Sequence, residues 1–79
     1  MSGYGHPIYI LLERMYNLIN RLMKYRTEAY MKQDTLARIA GIGRSTISEI
    51  ENGKRIPRVD TAILIAKALG KTVEEIWDL

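Results

Sequence analysis

The chain has 79 residues, no cysteine and a formal net charge of +3 at pH 7, and 47% of its residues are apolar. This length supports one domain with a modest core, and the absence of cysteine excludes a disulfide or a cysteine-bound metal. The apolar fraction is too high for a disordered tail. No apolar run is longer than five residues, the length of the run at residues 8–12, and this is too short to span a bilayer. Because no basic leader or cleavage pattern is visible, we expect a cytoplasmic protein that does not enter membranes, with residues 1–79 forming a single domain.

Positive charge is concentrated in the middle of the chain. Residues 20–58 contain nine basic and four acidic residues, a net charge of +5, whereas residues 59–79 contain two basic and four acidic residues, a net charge of −2. A basic region of this kind neutralises phosphates and releases counterions from nucleic acid. A solvated helical face has the same composition, so charge alone leaves both interpretations open.

The first predicted element is a long helix from about residue 7 to about residue 26. Pro7 suits an early helical position. One apolar stripe is predicted to face the core, and it consists of Ile8, Leu11, Met15, Leu18, Ile19 and Leu22. A second apolar stripe is formed by Tyr9, Leu12, Tyr16 and Met23, and Leu64 later in the chain adds to this surplus.

Surplus apolar surface usually marks an interface. For the second stripe we therefore favour homodimerisation over a wider monomer core. Residues 1–19 are interpreted as an N-terminal extension and the start of the first helix. His6 has no companion ligands in the sequence, so no metal site is predicted.

Residues 33–52 predict two short helices joined by a glycine turn. In the first, Leu36, Ala37 and Ala40 share one face, and Gly41 can end the helix in a left-handed conformation. In the second, Ile47 and Ile50 face inward and polar residues lie opposite. This order of elements is typical of a helix-turn-helix.

Two further helices complete the chain. The fourth is predicted over residues 59–69, with Gly70 as its stop; its inward stripe is Val59, Ala62, Ile63, Ala66 and Leu69. A capping box of Thr72 and Glu75 predicts a fifth, short helix that ends near Leu79 and closes the core with Ile76 and Trp77. No strand signal is present, so the fold class is predicted to be all-α.

From about residue 20 to about residue 78, the sequence resembles the DNA-binding domain of phage-repressor transcription regulators of the Cro or xenobiotic-response-element type. The segments that carry the resemblance are Gln33, Leu36-Ala37, Ala40-Gly41-Ile42, Arg44-Ser45-Thr46-Ile47-Ser48, Ile50-Glu51-Asn52-Gly53-Lys54-Arg55, Pro57 and Ile65-Ala66-Lys67-Ala68-Leu69-Gly70. A lone helix-turn-helix pattern is weak evidence. Here the asparagine-glycine-lysine loop and two more helices follow at the family's spacing. The resemblance implies a compact five-helix, lambda-repressor-like DNA-binding domain, here with an extended first helix.

In such domains the first turn of the third helix enters the major groove. Base-reading roles are therefore expected for Arg44, Ser45 and Thr46, and for Glu49 one turn later. Arg44 suits either a guanine or a phosphate. Glu49 suits either a cytosine amino group, as an acceptor, or a purely repulsive role towards phosphates.

The resemblance also implies phosphate contacts by four residues: Gln33, Asn52, Lys54 and Arg55. The alternative for the loop after the third helix is an ordinary helix cap on the surface. The resemblance further implies a structural ion pair between Arg26 and Glu51. The sequence departs from the family at Lys32, Gly43 and Arg58, where side-chain N-caps are usual.

An enzyme is not indicated, because the chain has no cysteine, one histidine, no phosphate-binding glycine loop and no concentrated carboxylate pair. We expect no cofactor and no small-molecule ligand. The preferred hypothesis is a dimeric transcription regulator, a repressor, that binds double-stranded DNA at a pseudo-palindromic operator. Two alternatives stay open: an antitoxin that binds a toxin and represses its own operon, and a controller protein for a restriction enzyme.

Overall fold

The computed structural model describes residues 20–77. This part of the chain folds into five helices: α1 (Leu22–Glu28), α2 (Gln33–Ala40), α3 (Arg44–Glu51), α4 (Val59–Leu69) and α5 (Val73–Trp77). No strand occurs within residues 20–77. The all-α, five-helix prediction is therefore confirmed. None of these helices is long and apolar enough to cross a membrane.

The prediction of one continuous first helix from residue 7 to residue 26 is wrong at Asn20 and Arg21, which are not helical. Asn20 Oδ1 accepts the backbone N–H of Leu22 at 3.0 Å. The backbone N–H of Arg21 donates to the carbonyl of Ile76 at 2.8 Å. An asparagine side chain that bonds the backbone competes with helical hydrogen bonds, so α1 begins only at Leu22. The earlier part of the predicted helix, residues 7–19, lies outside the described residues.

The first four helices end in the same way, with a residue of positive φ one or two positions after the last helical residue. Three of these residues are glycines, Gly41 at 74°, Gly53 at 73° and Gly70 at 65°. After α1 the position is occupied by Tyr30, with φ 58° and a 97% exposed side chain. This conformation closes each end, because the backbone amides of that residue and of the next one donate to carbonyls in the last turn.

The core lies between the inner faces of all five helices. Its buried side chains are Leu22, Leu36, Ala37, Ile47, Ile50, Ala62, Ile65, Ala66, Ile76 and Trp77. Helix α2 packs on α3 and α4, while α5 packs on α4 and α1. This arrangement holds α3 at one side of the domain with its inner face fixed.

The predicted inward stripe of α4 is partly wrong. Val59 and Ile63 are 76% and 41% exposed, whereas Ile65, which that stripe omitted, is fully buried. The helix is apolar on more than one face, so helical spacing alone is compatible with two different buried stripes. Packing against α2 and α5 selects the face that contains Ala62, Ile65 and Ala66.

The N-caps follow the sequence predictions. Lys32, Gly43 and Arg58 precede their helices in extended conformation and make no side-chain cap bond. Before α5 the capping box is complete, with Thr72 N donating to Glu75 Oε1 at 2.8 Å and Glu75 N donating to Thr72 Oγ1 at 3.1 Å. The hydrogen bond from the Thr72 backbone amide lowers the pKa of the Glu75 carboxyl below its ordinary value.

Candidate nucleic-acid interface

The outer face of α3 carries the side chains for which base reading is predicted. Ile47 and Ile50 are fully buried, and this fixes which side of α3 faces the solvent. Arg44 and Ser45 in the first turn are exposed, Thr46 is half-buried, and the Glu49 side chain is 44% exposed. The first turn of α3 therefore presents polar groups to a partner while the rest of the helix is anchored.

A buried carboxylate ties α3 to the two helices before it. Arg26 donates from Nε to Glu51 Oε2 at 2.5 Å and from Nη2 to Glu51 Oε1 at 3.1 Å. Its Nη1 donates to the carbonyl of Met31 at 2.7 Å. The Glu51 side chain is fully buried and that of Arg26 is 12% exposed. This ion pair fixes the end of α3 against α1 and the α1–α2 turn.

Gln33, a predicted phosphate ligand, belongs to the same network. Its Nε2 donates to Glu51 Oε1 at 2.9 Å. A side-chain amide has two N–H donors and one oxygen acceptor. One donor is thus directed at Glu51, and the side chain retains further hydrogen-bonding capacity at the start of α2. This contact joins residues 18 positions apart, so spacing along the sequence does not reveal it.

Two exposed arginines on this side of the domain are paired with acids. Arg44 Nε lies 3.0 Å from Asp34 Oδ1, and Arg55 Nε lies 2.7 Å from Glu49 Oε1. All four side chains are between 44% and 71% exposed. Sequence reasoning missed both pairs, because each crosses a turn and neither has the spacing of an ion pair within one helix. The only indication in the sequence was that Asp34 is an acidic residue within the basic central region and therefore has many possible cationic partners.

The loop after α3 brings cations and hydroxyl groups together. Asn52 and Lys54 are exposed, and Lys54 makes no ion pair within residues 20–77. Beside the loop is a cleft of about 210 Å³, lined by Thr46, Arg55, Ile56, Pro57, Arg58 and Thr61. The cleft thus places two residues with predicted DNA contacts, Thr46 and Arg55, next to Arg58 and Thr61, which were not among the predicted DNA-contact residues.

Asn20 is a second brace of α3 that sequence reasoning did not identify. Its Nδ2 donates to the carbonyl of Ile50 at 2.9 Å, in the last turn of α3. That carbonyl belongs to the helix end, where carbonyls lack partners within the helix. Asn20, two residues before α1, is therefore attached directly to α3.

The predicted dimer interface is only partly within the described residues. Met23 and Leu64 are 47% and 43% exposed. The other three residues of that prediction, Tyr9, Leu12 and Tyr16, lie outside the described residues.

Comparison with known proteins identifies the family. Residues 22–76 match the helix-turn-helix family HTH_3. A protein named as an uncharacterized HTH-type transcriptional regulator from Methanocaldococcus jannaschii is 40% identical over 58 residues, which cover 73% of this chain and 88% of the relative. Another of that name, from Archaeoglobus fulgidus, is 33% identical over 57 residues, which cover 72% of this chain and 80% of the relative. No solved structure gives a significant match. The chain therefore belongs to the Cro/C1-type helix-turn-helix family of DNA-binding transcription regulators.

Proposed function

We propose that this protein binds a specific double-stranded DNA sequence and represses transcription there. The observation that carries the proposal is the two-sided construction of α3. Its inner face is buried through Ile47 and Ile50, its end is braced by Glu51, and its first turn is exposed. A helix held in this way enters the major groove as a rigid unit, with its first turn at the base edges.

Base reading is assigned to the exposed first turn. Arg44 donates to O6 and N7 of a guanine, a contact that discriminates against other bases by about 1 to 3 kcal/mol. Ser45 and Thr46 supply hydroxyl groups to bases or phosphates. Because Glu49 is paired with Arg55, its carboxylate is already partly neutralised, and we assign it a weaker role at the groove.

Phosphate binding is assigned to the flanking residues Gln33, Asn52, Lys54 and Arg55. Lys54 supports this assignment best, since it is exposed and makes no ion pair with any residue from 20 to 77. The adjacent cleft adds Arg58 and Thr61 as further donors to a backbone phosphate. Contacts of this kind fix the position of a protein on DNA without reading its sequence.

The Arg26–Glu51 pair is assigned a bracing role. Neither group offers an exposed edge for DNA, because the Glu51 side chain is fully buried and that of Arg26 nearly so. Both groups instead set the orientation of α3 relative to α1 and the α1–α2 turn. Substitution of either residue should therefore lower the stability of the domain more than it alters base preference.

The protein acts as a homodimer on a pseudo-palindromic operator in the cytoplasm, and it has no catalytic role. Exposed Met23 and Leu64 support association, since apolar side chains of this size stabilise an interface when buried. A two-fold dimer presents two α3 helices to half-sites about one DNA turn apart.

Selection of bound sequences from a pool of random duplex DNA tests this function. We expect enrichment of a two-fold related motif that contains a guanine in each half-site. Failure to enrich any sequence at physiological salt would contradict sequence-specific binding.

Two variants then separate base reading from phosphate binding. Arg44→Ala should lose preference at one position of each half-site. Lys54→Ala should weaken binding to operator and random DNA alike and reduce the salt slope by about 1 per protomer. Lys54 is a cleaner choice than Gln33, whose substitution also removes a bond to Glu51. Equal losses on operator and random DNA for Arg44→Ala would contradict its assignment.

A further inference from the structure

We propose that Asp34 is a positioning residue for Arg44 and thereby sets the specificity of base reading. This inference rests on the proposed DNA-binding function. Asp34 is the second residue of α2 and Arg44 the first residue of α3, so the pair spans the turn between the two helices. No role at the interface follows for Asp34 from the helix-turn-helix pattern itself.

The geometry of the pair leaves Arg44 able to read a base. The contact joins Asp34 Oδ1 to Arg44 Nε at 3.0 Å, at the inner end of the guanidinium group. The two Nη groups lie at the outer end and carry four of the five N–H donors of arginine. Guanine presents two acceptors, O6 and N7, in the major groove, which match this outer edge. Asp34 therefore restricts the motion of the side chain without occupying the groups that would contact guanine.

The charge of Asp34 affects binding to random DNA and binding to the operator differently. In random DNA the attraction of Arg44 is to phosphates, and a carboxylate beside it offsets that attraction and repels the phosphates. At a correct base pair the oriented guanidinium gains two hydrogen bonds to guanine, and the restriction imposed by Asp34 lowers the conformational entropy lost on binding. Asp34 thus weakens binding to random DNA and favours the operator.

The high exposure of the Asp34 and Arg44 side chains favours a role of the pair in DNA recognition over a role in the stability of the fold. The Asp34 and Arg44 side chains are 71% and 65% exposed. An exposed ion pair of this kind contributes little to folding. Substitution of Asp34 should therefore leave the thermal unfolding midpoint nearly unchanged, and its effect on DNA binding can be measured in a folded protein.

The test compares Asp34→Asn with Glu74→Gln in the full chain. Both substitutions remove one negative charge, and Glu74 is an exposed residue of α5, which packs on α1 and α4. Dissociation constants are measured for the selected operator, for its single-base-pair variants and for a random duplex at several salt concentrations. Asp34→Glu keeps the carboxylate and serves as the conservative variant.

For Asp34→Asn we expect the preference for guanine at the position read by Arg44 to fall by about fivefold, within the range of a single base contact. Preference at other positions should be unchanged, and the random duplex should bind more tightly than it does to Glu74→Gln. Asp34→Glu should restore most of the preference. In an Arg44→Ala background, Asp34→Asn should have no further effect on base preference.

Two results would overturn the inference. If Asp34→Asn and Glu74→Gln strengthen operator and random DNA equally and leave base preference intact, Asp34 acts only through net charge, while the proposed function stands. If the unaltered chain binds all sequences equally, the proposed function fails, and this inference fails with it.

Discussion

At the scale of single residues, Glu51 has the most demanding environment. Its buried carboxylate accepts two N–H bonds from Arg26 and one from Gln33. A buried charge is tolerated only when its hydrogen-bonding capacity is satisfied. The position of Glu51 at the end of α3 makes the orientation of that helix depend on both partners.

Arg26→Ala should therefore destabilise the domain by about 3 kcal/mol, because it leaves a buried carboxylate without its cation. The free energy of unfolding in urea measures the change. Arg38→Ala is the matched control, since Arg38 is an exposed arginine of α2 without an ion pair in the described part of the chain; its effect should stay within about 0.5 kcal/mol. Equal effects of the two substitutions would show that the Arg26–Glu51 pair does not brace the fold.

At the scale of elements, the end of α1 differs from the other helix ends. Tyr30 adopts φ 58°, which side chains with a Cβ atom disfavour, and its ring is almost fully exposed. The amides of Tyr30 and Met31 still bond the carbonyls of Thr27 and Arg26, at 3.0 and 3.1 Å. The helix end is thus retained at the cost of backbone strain.

Tyr30→Gly should stabilise the domain by about 0.5 to 1 kcal/mol. The relief of about 1 to 2 kcal/mol of left-handed strain exceeds the added entropy of glycine in the unfolded chain. The midpoint of urea denaturation measures the gain. Tyr30→Ala is the control, since it removes the exposed ring but keeps Cβ and should give little or no gain. A loss of stability for Tyr30→Gly would mean that the ring makes a contact which offsets the strain.

The capping box of α5 predicts a pH dependence. The pKa of Glu75 is lowered from 4.5, chiefly by the hydrogen bond from the Thr72 backbone amide. Because the folded pKa lies below the unfolded one, the stabilisation is fully present above about pH 4.5 and is lost as the pH falls through the folded pKa. The stability difference between the unaltered chain and Glu75→Gln should therefore shrink as the pH is lowered from 6 towards 3.

Two measurements check this dependence. An NMR titration of the Glu75 carboxyl group should give a pKa below 4.5. In Thr72→Ala the pKa should move back towards that value, because the threonine hydroxyl also lowers it. A stability difference that is the same at pH 6 and pH 3 would rule out the capping carboxylate as its source.

At the scale of the whole molecule, two surface properties are relevant: the distribution of charge and the exposed apolar side chains. The basic central region supplies the candidate DNA interface, and the C-terminal residues 59–79 carry a net charge of −2. Leu64 lies exposed on α4 and Met23 on α1. We propose that these two residues contribute to a dimer interface.

Sedimentation at several concentrations should therefore give a mass near twice the 9.1 kDa of one chain. Leu64→Glu and Met23→Glu should each weaken association about tenfold or more, since each would bury an unpaired carboxylate at the interface. Ile39→Glu is the control, because Ile39 is a 53% exposed apolar residue of α2. Association unchanged in both variants would remove Met23 and Leu64 from the interface.

The sequence by itself determined the features that depend on local conformation. The five helices, the glycine ends of α2, α3 and α4, and the capping box of α5 follow from helical spacing and from the φ angle that glycine permits. The buried positions Ile47 and Ile50 follow from the same spacing. Resemblance to the family then predicted which side of α3 would face DNA.

Tertiary structure decided what depends on contacts between distant parts of the chain. It delayed the start of α1 to Leu22, because the Asn20 side chain bonds the Leu22 amide and the end of α3. In α4, which is apolar on several faces, it buried Ile65 and exposed Ile63. It also joined Gln33 to Glu51 and Asp34 to Arg44. Periodicity along one helix carries no information on such pairs, because each depends on how two helices are oriented in space.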